Sequence, residues 1–174
     1  MWTMLEGFQN LTAAEIDALV ETPVLITALV GAADGQIDRE ERNWTERLMR
    51  ARTYSQPHLV NDYYRVASED FLDKLDKVIA ALPADATLRN AEIASRLGAV
   101  NPILGKLEEH LAAALYKSFV VLAQETAKAS GGFLRIGAVS AAEHQWLTLP
   151  MLTPILVPDE PKASGEPDEE KNED

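Results

Sequence analysis

The sequence predicts an all-α protein, a compact bundle of several helices. Apolar residues recur three and four positions apart along most of the chain, and many of these stretches open with a helix-capping residue or a proline. Segments with the alternating pattern of a strand are hard to find. With 174 residues and 47% apolar content, the chain is long enough for one domain with a substantial core.

The first predicted helix begins after Thr12, whose hydroxyl can cap it while the Glu15 carboxylate reaches back to the N–H of the cap. We expect this helix to end near Glu21. Thr22 and Pro23 then resemble the cap and the first residue of a second helix, which is apolar on most sides and therefore buried. The pattern thus predicts two separate helices here.

Three further helices are predicted in the next part of the chain. Gly35 interrupts the apolar helix, and Asp38 starts another that ends near Arg52. A helix follows Pro57, and Ser68 is expected to cap the one after it. Proline and small polar residues therefore set the helix boundaries in this region.

The longest helix is predicted in the second half of the chain. After a helical segment from Asp85 to Leu97, Asn101-Pro102 opens a helix that could continue to Ala129, roughly 40 Å at 1.5 Å per residue. Its wide apolar stripe indicates a central pillar. Ser140 is then expected to cap a short helix that contains Trp146.

A weak internal repeat runs through the chain. A buried helix, a glycine break, a cap followed by Glu and a helix with a tryptophan occur around residues 24 to 48 and again around 117 to 149. Ser140 of the second copy stands where the first has Asp38, and Asp34 has no counterpart there. The acidic residues that could bind a cation are therefore concentrated in the first copy.

Charge and composition restrict the partners and the compartment. The net charge is -12, and residues 158 to 174 hold eight acidic residues and two lysines, half of the imbalance. This tail has little to bury and is predicted to be disordered, so the domain is expected to span residues 1 to 157. An acidic field disfavours nucleic acid. Arginines 47, 50 and 52 are interpreted as cations that complement the dipole at a helix end.

The chain has no cysteine, and its start lacks the basic segment and apolar run of a secretory signal. No stretch approaches the roughly 18 apolar residues that a membrane span requires. These features predict a soluble, cytoplasmic protein without membrane insertion.

The connection after the apolar helix resembles half of a calcium-binding loop. In the twelve-residue EF-hand frame, Asp34, Asp38 and Glu41 occupy positions 5, 9 and 12, but positions 1 and 3 are Val30 and Ala32, whose side chains cannot coordinate a cation. Three crowded carboxylates repel each other, and a hard cation with oxygen ligands relieves that repulsion. The spacing favours Ca²⁺ or Mg²⁺.

The same residues also have an explanation without a metal. Asp38 can cap the following helix, Glu41 can close its capping box, Gly35 can supply a permissive φ, and Ile37 can fill the core. Both interpretations remain open at the level of sequence.

No motif for catalysis is evident. His58, His110 and His144 are far apart and form no paired metal motif, and the chain has no phosphate-binding glycine loop, nucleophile elbow or zinc-protease helix. We therefore predict no enzymatic activity and no organic cofactor, with the histidines at the surface or boundary. Trp44 and Trp146 are expected to anchor the core.

The segment from Ala28 to Glu41, with its Ala-Asp-Gly-Gln-Ile-Asp-Arg-Glu-Glu turn, resembles the first signature of the tellurite-resistance TerB-like family. The helix that ends in Ser130-Gly131-Gly132, followed by Val139 to Glu143, resembles the closing helices of that family. Together the matches cover roughly residues 12 to 156.

The resemblance implies a bundle of pseudo-symmetric helix pairs around a long C-terminal helix, a divalent-metal site on an acidic surface, and a stress-response role without enzymatic activity. The implied ligands are Asp34, Asp38 and Glu41, with Glu143 as a contribution from the second copy if the two turns meet. We therefore expect a non-catalytic, cation-binding domain that interacts with a protein partner. The alternative is a purely structural interaction scaffold without a metal site.

Overall fold

The computed structural model describes residues 6–31, 39–131 and 146–157, which contain seven helices and no strand. This confirms the predicted all-α fold with a long C-terminal helix. The helices are α1 (Ala13–Gly31), α2 (Arg39–Arg52), α3 (His58–Ala67), α4 (Phe71–Ala81), α5 (Ala86–Gly98), α6 (Asn101–Leu104) and α7 (Glu109–Gly131).

Helices α1 and α7 form the centre of the fold. They pack most extensively against each other, and α1 also packs against α3, α4 and α5. Every residue of α1 from Thr22 to Val30 is buried, so this stretch has no solvent-facing side. In α7, the buried residues include Leu111, Leu115, Phe119 and Leu122. The core is therefore built on two long central helices.

Helix α1 runs without interruption through Pro23, so the predicted break between Glu21 and Thr22 is wrong. Proline has no N–H, and the carbonyl of Leu19 therefore loses its usual donor in the helix. The Tyr63 hydroxyl of α3 donates to this carbonyl at 2.7 Å. A donor from a distant helix thus replaces the missing bond.

The predicted capping box at the start of α1 is confirmed. The Thr12 N–H donates to Glu15 Oε2 at 2.9 Å, and the Glu15 N–H donates to Thr12 Oγ1 at 3.3 Å. The other Glu15 oxygen accepts from the Lys106 ammonium, which follows α6. The hydrogen bonds from Lys106 and from the Thr12 N–H lower the pKa of Glu15 from its ordinary 4.5 to about 2.

The long helix predicted from Asn101 to Ala129 is divided. Helix α6 ends at Leu104, and α7 begins at Glu109 and extends to Gly131, about 35 Å at 1.5 Å per residue. Glu108 provides the new start, since its carboxylate accepts from the Leu111 N–H at 3.2 Å. Hydrogen bonds from the N–H groups of His110 and Leu111 lower the pKa of Glu108.

Ser68 does not cap α4, contrary to the prediction. Its hydroxyl donates instead to the Met49 carbonyl at 3.3 Å, which links the end of α3 to α2. Asp70 precedes α4 with a φ of 50°, in the left-handed region that aspartate tolerates better than most residues. The helical segment predicted from Asp85 to Leu97 corresponds to α5, and Asp85 caps this helix because its carboxylate accepts from the Leu88 N–H at 2.9 Å.

The prediction that Trp44 and Trp146 anchor the core is wrong for Trp44. Trp44 is 41% exposed on α2, whereas Trp146 is partly buried and packs against the core. From Trp146 onward the chain forms turns and irregular structure instead of the predicted helix. Asn101 holds this segment, since its amide donates to the Met151 carbonyl at 2.9 Å and accepts from the Thr153 N–H at 2.8 Å.

Two of the three histidines have the expected position: His58 and His110 are exposed. His144, Ser140 and the acidic tail from 158 to 174 lie outside the described residues. Within the described ranges, no helix is long and apolar enough to cross a membrane.

Candidate functional site

The acidic connection joins the end of α1 at Gly31 to the start of α2 at Arg39. Asp34 and Asp38 belong to this connection and lie outside the described residues. Glu41 is in the first turn of α2, but its side chain is likewise outside the description, as is all of Glu143. The four-residue cation site therefore stays a prediction.

The structure does describe the residues where a complete calcium loop would begin. Val30, at position 1 of the EF-hand frame, is helical and buried at the end of α1. Gly31, at position 2, also belongs to that helix. The first two positions of the frame therefore lie in helix α1, and Val30 is part of the core. A complete EF-hand loop does not start here.

Helix α1 reaches the acidic connection in close contact with α7. A Cβ at Gly31 would lie 3.3 Å from Thr126 Cγ2 and 3.9 Å from Thr27 Cγ2, so the glycine allows the two helices to approach. The Thr27 hydroxyl is buried nearby and has no hydrogen-bond partner among the described residues. The last turn of α1 is therefore held against the core.

The first half of α2 is attached to α4 by a two-pronged ion pair. Arg42 donates through Nη1 to Asp76 Oδ1 and through Nη2 to Asp76 Oδ2, the latter at 2.9 Å. The Arg42 guanidinium lowers the pKa of the Asp76 carboxyl, and Asp76 raises the pKa of Arg42. This pair links α2 to α4, close to where the acidic connection ends.

The end of α2 carries a buried cation. Arg52 is only 3% exposed, and its Nη1 donates to the Ser118 carbonyl at 3.2 Å and to Ser118 Oγ at 3.3 Å. The guanidinium carbon lies 5.4 Å from the centre of the Tyr64 ring, and the Tyr64 hydroxyl is hydrogen-bonded to Ser118 Oγ. Burial raises the pKa of Tyr64. These three residues join α2, α3 and α7.

Arg50 and Arg52 lie in the last turn of α2, as their interpretation as cations at a helix end requires, but Arg52 is buried whereas Arg47 and Arg50 are exposed. A signal for the burial of Arg52 was present in the sequence. Thr45, Met49 and Arg52 follow each other at spacings of four and three, which place them on one face of α2, and all three are buried. Arg52 therefore lies on the face of α2 that packs against the rest of the protein.

Two open depressions lie on the described surface. A cleft of about 310 Å³ separates α2 from the corner between α3 and α4, and its lining includes Glu46, Asp70 and Asp73. A groove of about 410 Å³ runs between α7 and residues 155–157, with mostly apolar walls that include Val120 and Leu156. The first depression is polar, and the second is apolar.

Outside the acidic connection, the described residues contain no group of three or more histidines, aspartates or glutamates that could hold a metal ion. Among the described residues, the carboxylates near the polar cleft do not form such a group. The candidate cation site remains confined to the predicted residues around the connection.

The described residues define an all-α protein in which an acidic connection joins α1 to α2. Every residue of α1 from Thr22 to Val30 is buried, whereas most described side chains of α2 are exposed or partly buried. A comparison of the chain with protein-family models finds no match, and comparisons with curated proteins and with solved structures find none either.

Proposed function

We propose that the protein is a non-catalytic interaction domain of the TerB-like, stress-response-associated kind, which holds a divalent cation at the connection between α1 and α2. The observation that carries this proposal is the concentration of Asp34, Asp38 and Glu41 within eight residues. Asp34 and Asp38 lie in the seven residues between the end of α1 at Gly31 and the start of α2 at Arg39. Carboxylate oxygens are the ligands that Ca²⁺ and Mg²⁺ prefer.

Further support comes from the charge and the surface. The net charge of -12 disfavours nucleic acid, which needs clustered basic residues. The apolar groove between α7 and residues 155–157 favours a protein partner, because exposed apolar surface marks interaction sites. The proposal includes Glu143 as a fourth ligand from the second copy of the repeat, if the two turns meet. It also includes a cytoplasmic location and no organic cofactor.

Thermal unfolding with and without about 5 mM CaCl₂ or MgCl₂ tests the proposal, because a ligand that prefers the native state raises stability by mass action. We expect a higher Tm with one of the two cations. Asp34→Asn and Asp38→Asn are each expected to reduce or abolish this increase, since each removes a charged ligand.

Asp85→Ala provides the matched control. Asp85 caps α5, so its loss lowers the Tm by removing a cap, but the cation-dependent increase is expected to persist. If neither cation raises the Tm, or if both asparagine variants keep the full increase, the cation site is wrong.

A second candidate is the structural scaffold without a metal, and one observation favours it. Thr12 and Glu15 form a capping box with the same three-residue spacing that separates Asp38 from Glu41. If this alternative holds, Asp38→Ala lowers the free energy of unfolding by about 1 kcal/mol, as the loss of a cap does. The loss is the same with and without the cation. The two candidates therefore differ in whether the cost depends on the cation.

A further inference from the structure

We infer that α2 opens from the rest of the fold as a unit while the packed pair of α1 and α7 stays folded. The inference rests on described contacts of α2 and does not depend on the cation site. Local opening of this kind occurs where a helix has little buried apolar surface and its hydrogen bonds can be exchanged for water.

Helix α2 contributes little to the apolar core. Among its described side chains, Thr45, Met49 and Arg52 are buried, and only Met49 of these is apolar; Leu48 is partly buried. In α1, by contrast, nine consecutive residues are buried and most of them are apolar. Because apolar burial is the main source of stability, removing α2 costs far less than separating α1 from α7.

The described attachments of α2 to its neighbours include several polar contacts. Among them are the Arg42–Asp76 ion pair to α4, the Ser68 hydroxyl on the Met49 carbonyl, and the bonds from Arg52 to Ser118 of α7. The Arg52 guanidinium also lies over the Tyr64 ring of α3. The ion pair is partly solvent-exposed, so screening by water reduces the stabilisation that its two-pronged geometry provides. Polar groups released by opening regain hydrogen bonds from water, so their net contribution is small.

A surface cleft borders one side of α2. The polar cleft of about 310 Å³ has Met49 and Arg50 of α2 on one side and Ser68 and Phe71 of the corner between α3 and α4 on the other. The contact between α2 and this corner is therefore narrow, with Met49 as its buried apolar residue on α2.

The link from α2 to α3 can accommodate the movement. Residues 53 to 57 include no buried side chain, and Tyr54 is 87% exposed. Bending there breaks no core contact. Opening would uncover Tyr64 and Ser118 on α3 and α7 together with Phe71 at the start of α4.

Cysteine labelling tests the inference directly, because the chain has no cysteine of its own. Met49→Cys places a thiol on the buried face of α2, and Leu115→Cys places the matched control in the centre of α7. Each variant is labelled with an aromatic disulfide reagent at increasing, non-denaturing urea concentrations. The measured rates are compared with the global unfolding equilibrium of the same variant.

We expect Met49→Cys to be labelled at least about tenfold faster than its global unfolding allows, with a rate that hardly depends on urea, as local opening requires. Leu115→Cys should follow global unfolding. Labelling of both thiols only through global unfolding would overturn the inference.

Hydrogen exchange of the unsubstituted protein, measured by mass spectrometry, avoids the effects of substitution. Peptides from residues 42–52 are expected to exchange faster than peptides from residues 22–30. Equal protection of the two segments would also overturn the inference.

Discussion

The Tyr63 hydroxyl of α3 donates a 2.7 Å hydrogen bond to the Leu19 carbonyl of α1, the acceptor that Pro23 leaves without its helical donor. Tyr63 is almost completely buried, and its ring lies edge-on to Phe119 of α7. One side chain thus completes the hydrogen bonding of α1 and contacts both central helices.

Tyr63→Phe is expected to lower the free energy of unfolding by about 1–3 kcal/mol, since it leaves the Leu19 carbonyl buried without this donor. Urea denaturation measures the change. In a Pro23→Ala background the new N–H can bond to Leu19, so Tyr63→Phe should cost less there. An equal cost in both backgrounds would show that Tyr63 does not compensate for the proline.

Stability is expected to fall between pH 4.5 and about 2, partly because of Glu15. The folded-state pKa of Glu15 is lowered, so its contribution is fully present above its ordinary pKa of 4.5 and is lost as the pH falls toward about 2. Glu15→Gln should therefore weaken the pH dependence of the unfolding free energy in this window. Unchanged dependence in the variant would mean that the Lys106 and Thr12 bonds do not favour the charged form.

Ser118→Ala is expected to destabilise the protein by about 1–3 kcal/mol, because it removes one partner of the buried Tyr64 hydroxyl and one acceptor of Arg52. Ser95→Ala is the control: Ser95 is exposed on α5, and alanine favours helix there. Urea denaturation of both variants gives the comparison. Similar small effects would indicate that water readily replaces the Ser118 hydroxyl.

Gly7→Ala is expected to destabilise the protein by about 1–2 kcal/mol from the left-handed backbone alone. Gly7 has a φ of 87°, and a Cβ there would also lie 2.6 Å from Leu111 Cδ2. Gly98→Ala, at the end of α5 with nothing closer than 3.8 Å to its Cβ, should be neutral or stabilising. Thermal unfolding of the pair measures the difference, and an equal Tm would contradict the strain at Gly7.

The candidate site was predictable only in part. The sequence showed that Val30 cannot be a ligand, and the structure places that residue in buried helix. The cation ligation by Asp34, Asp38, Glu41 and Glu143 remains a prediction, because it depends on side chains outside the described residues. The spacing of carboxylates along a chain does not determine their separation in space.

By itself, the sequence determined the all-α class and the helix starts at Thr12, Pro57 and Asp85. These features depend on atoms three or four residues apart, which a linear pattern contains. Only the tertiary structure decided that α1 continues through Pro23 and that Arg52 is bonded to Ser118. Those outcomes depend on a hydroxyl from α3 and on acceptors from α7, which are distant in sequence and are brought within bonding distance only when the helices pack.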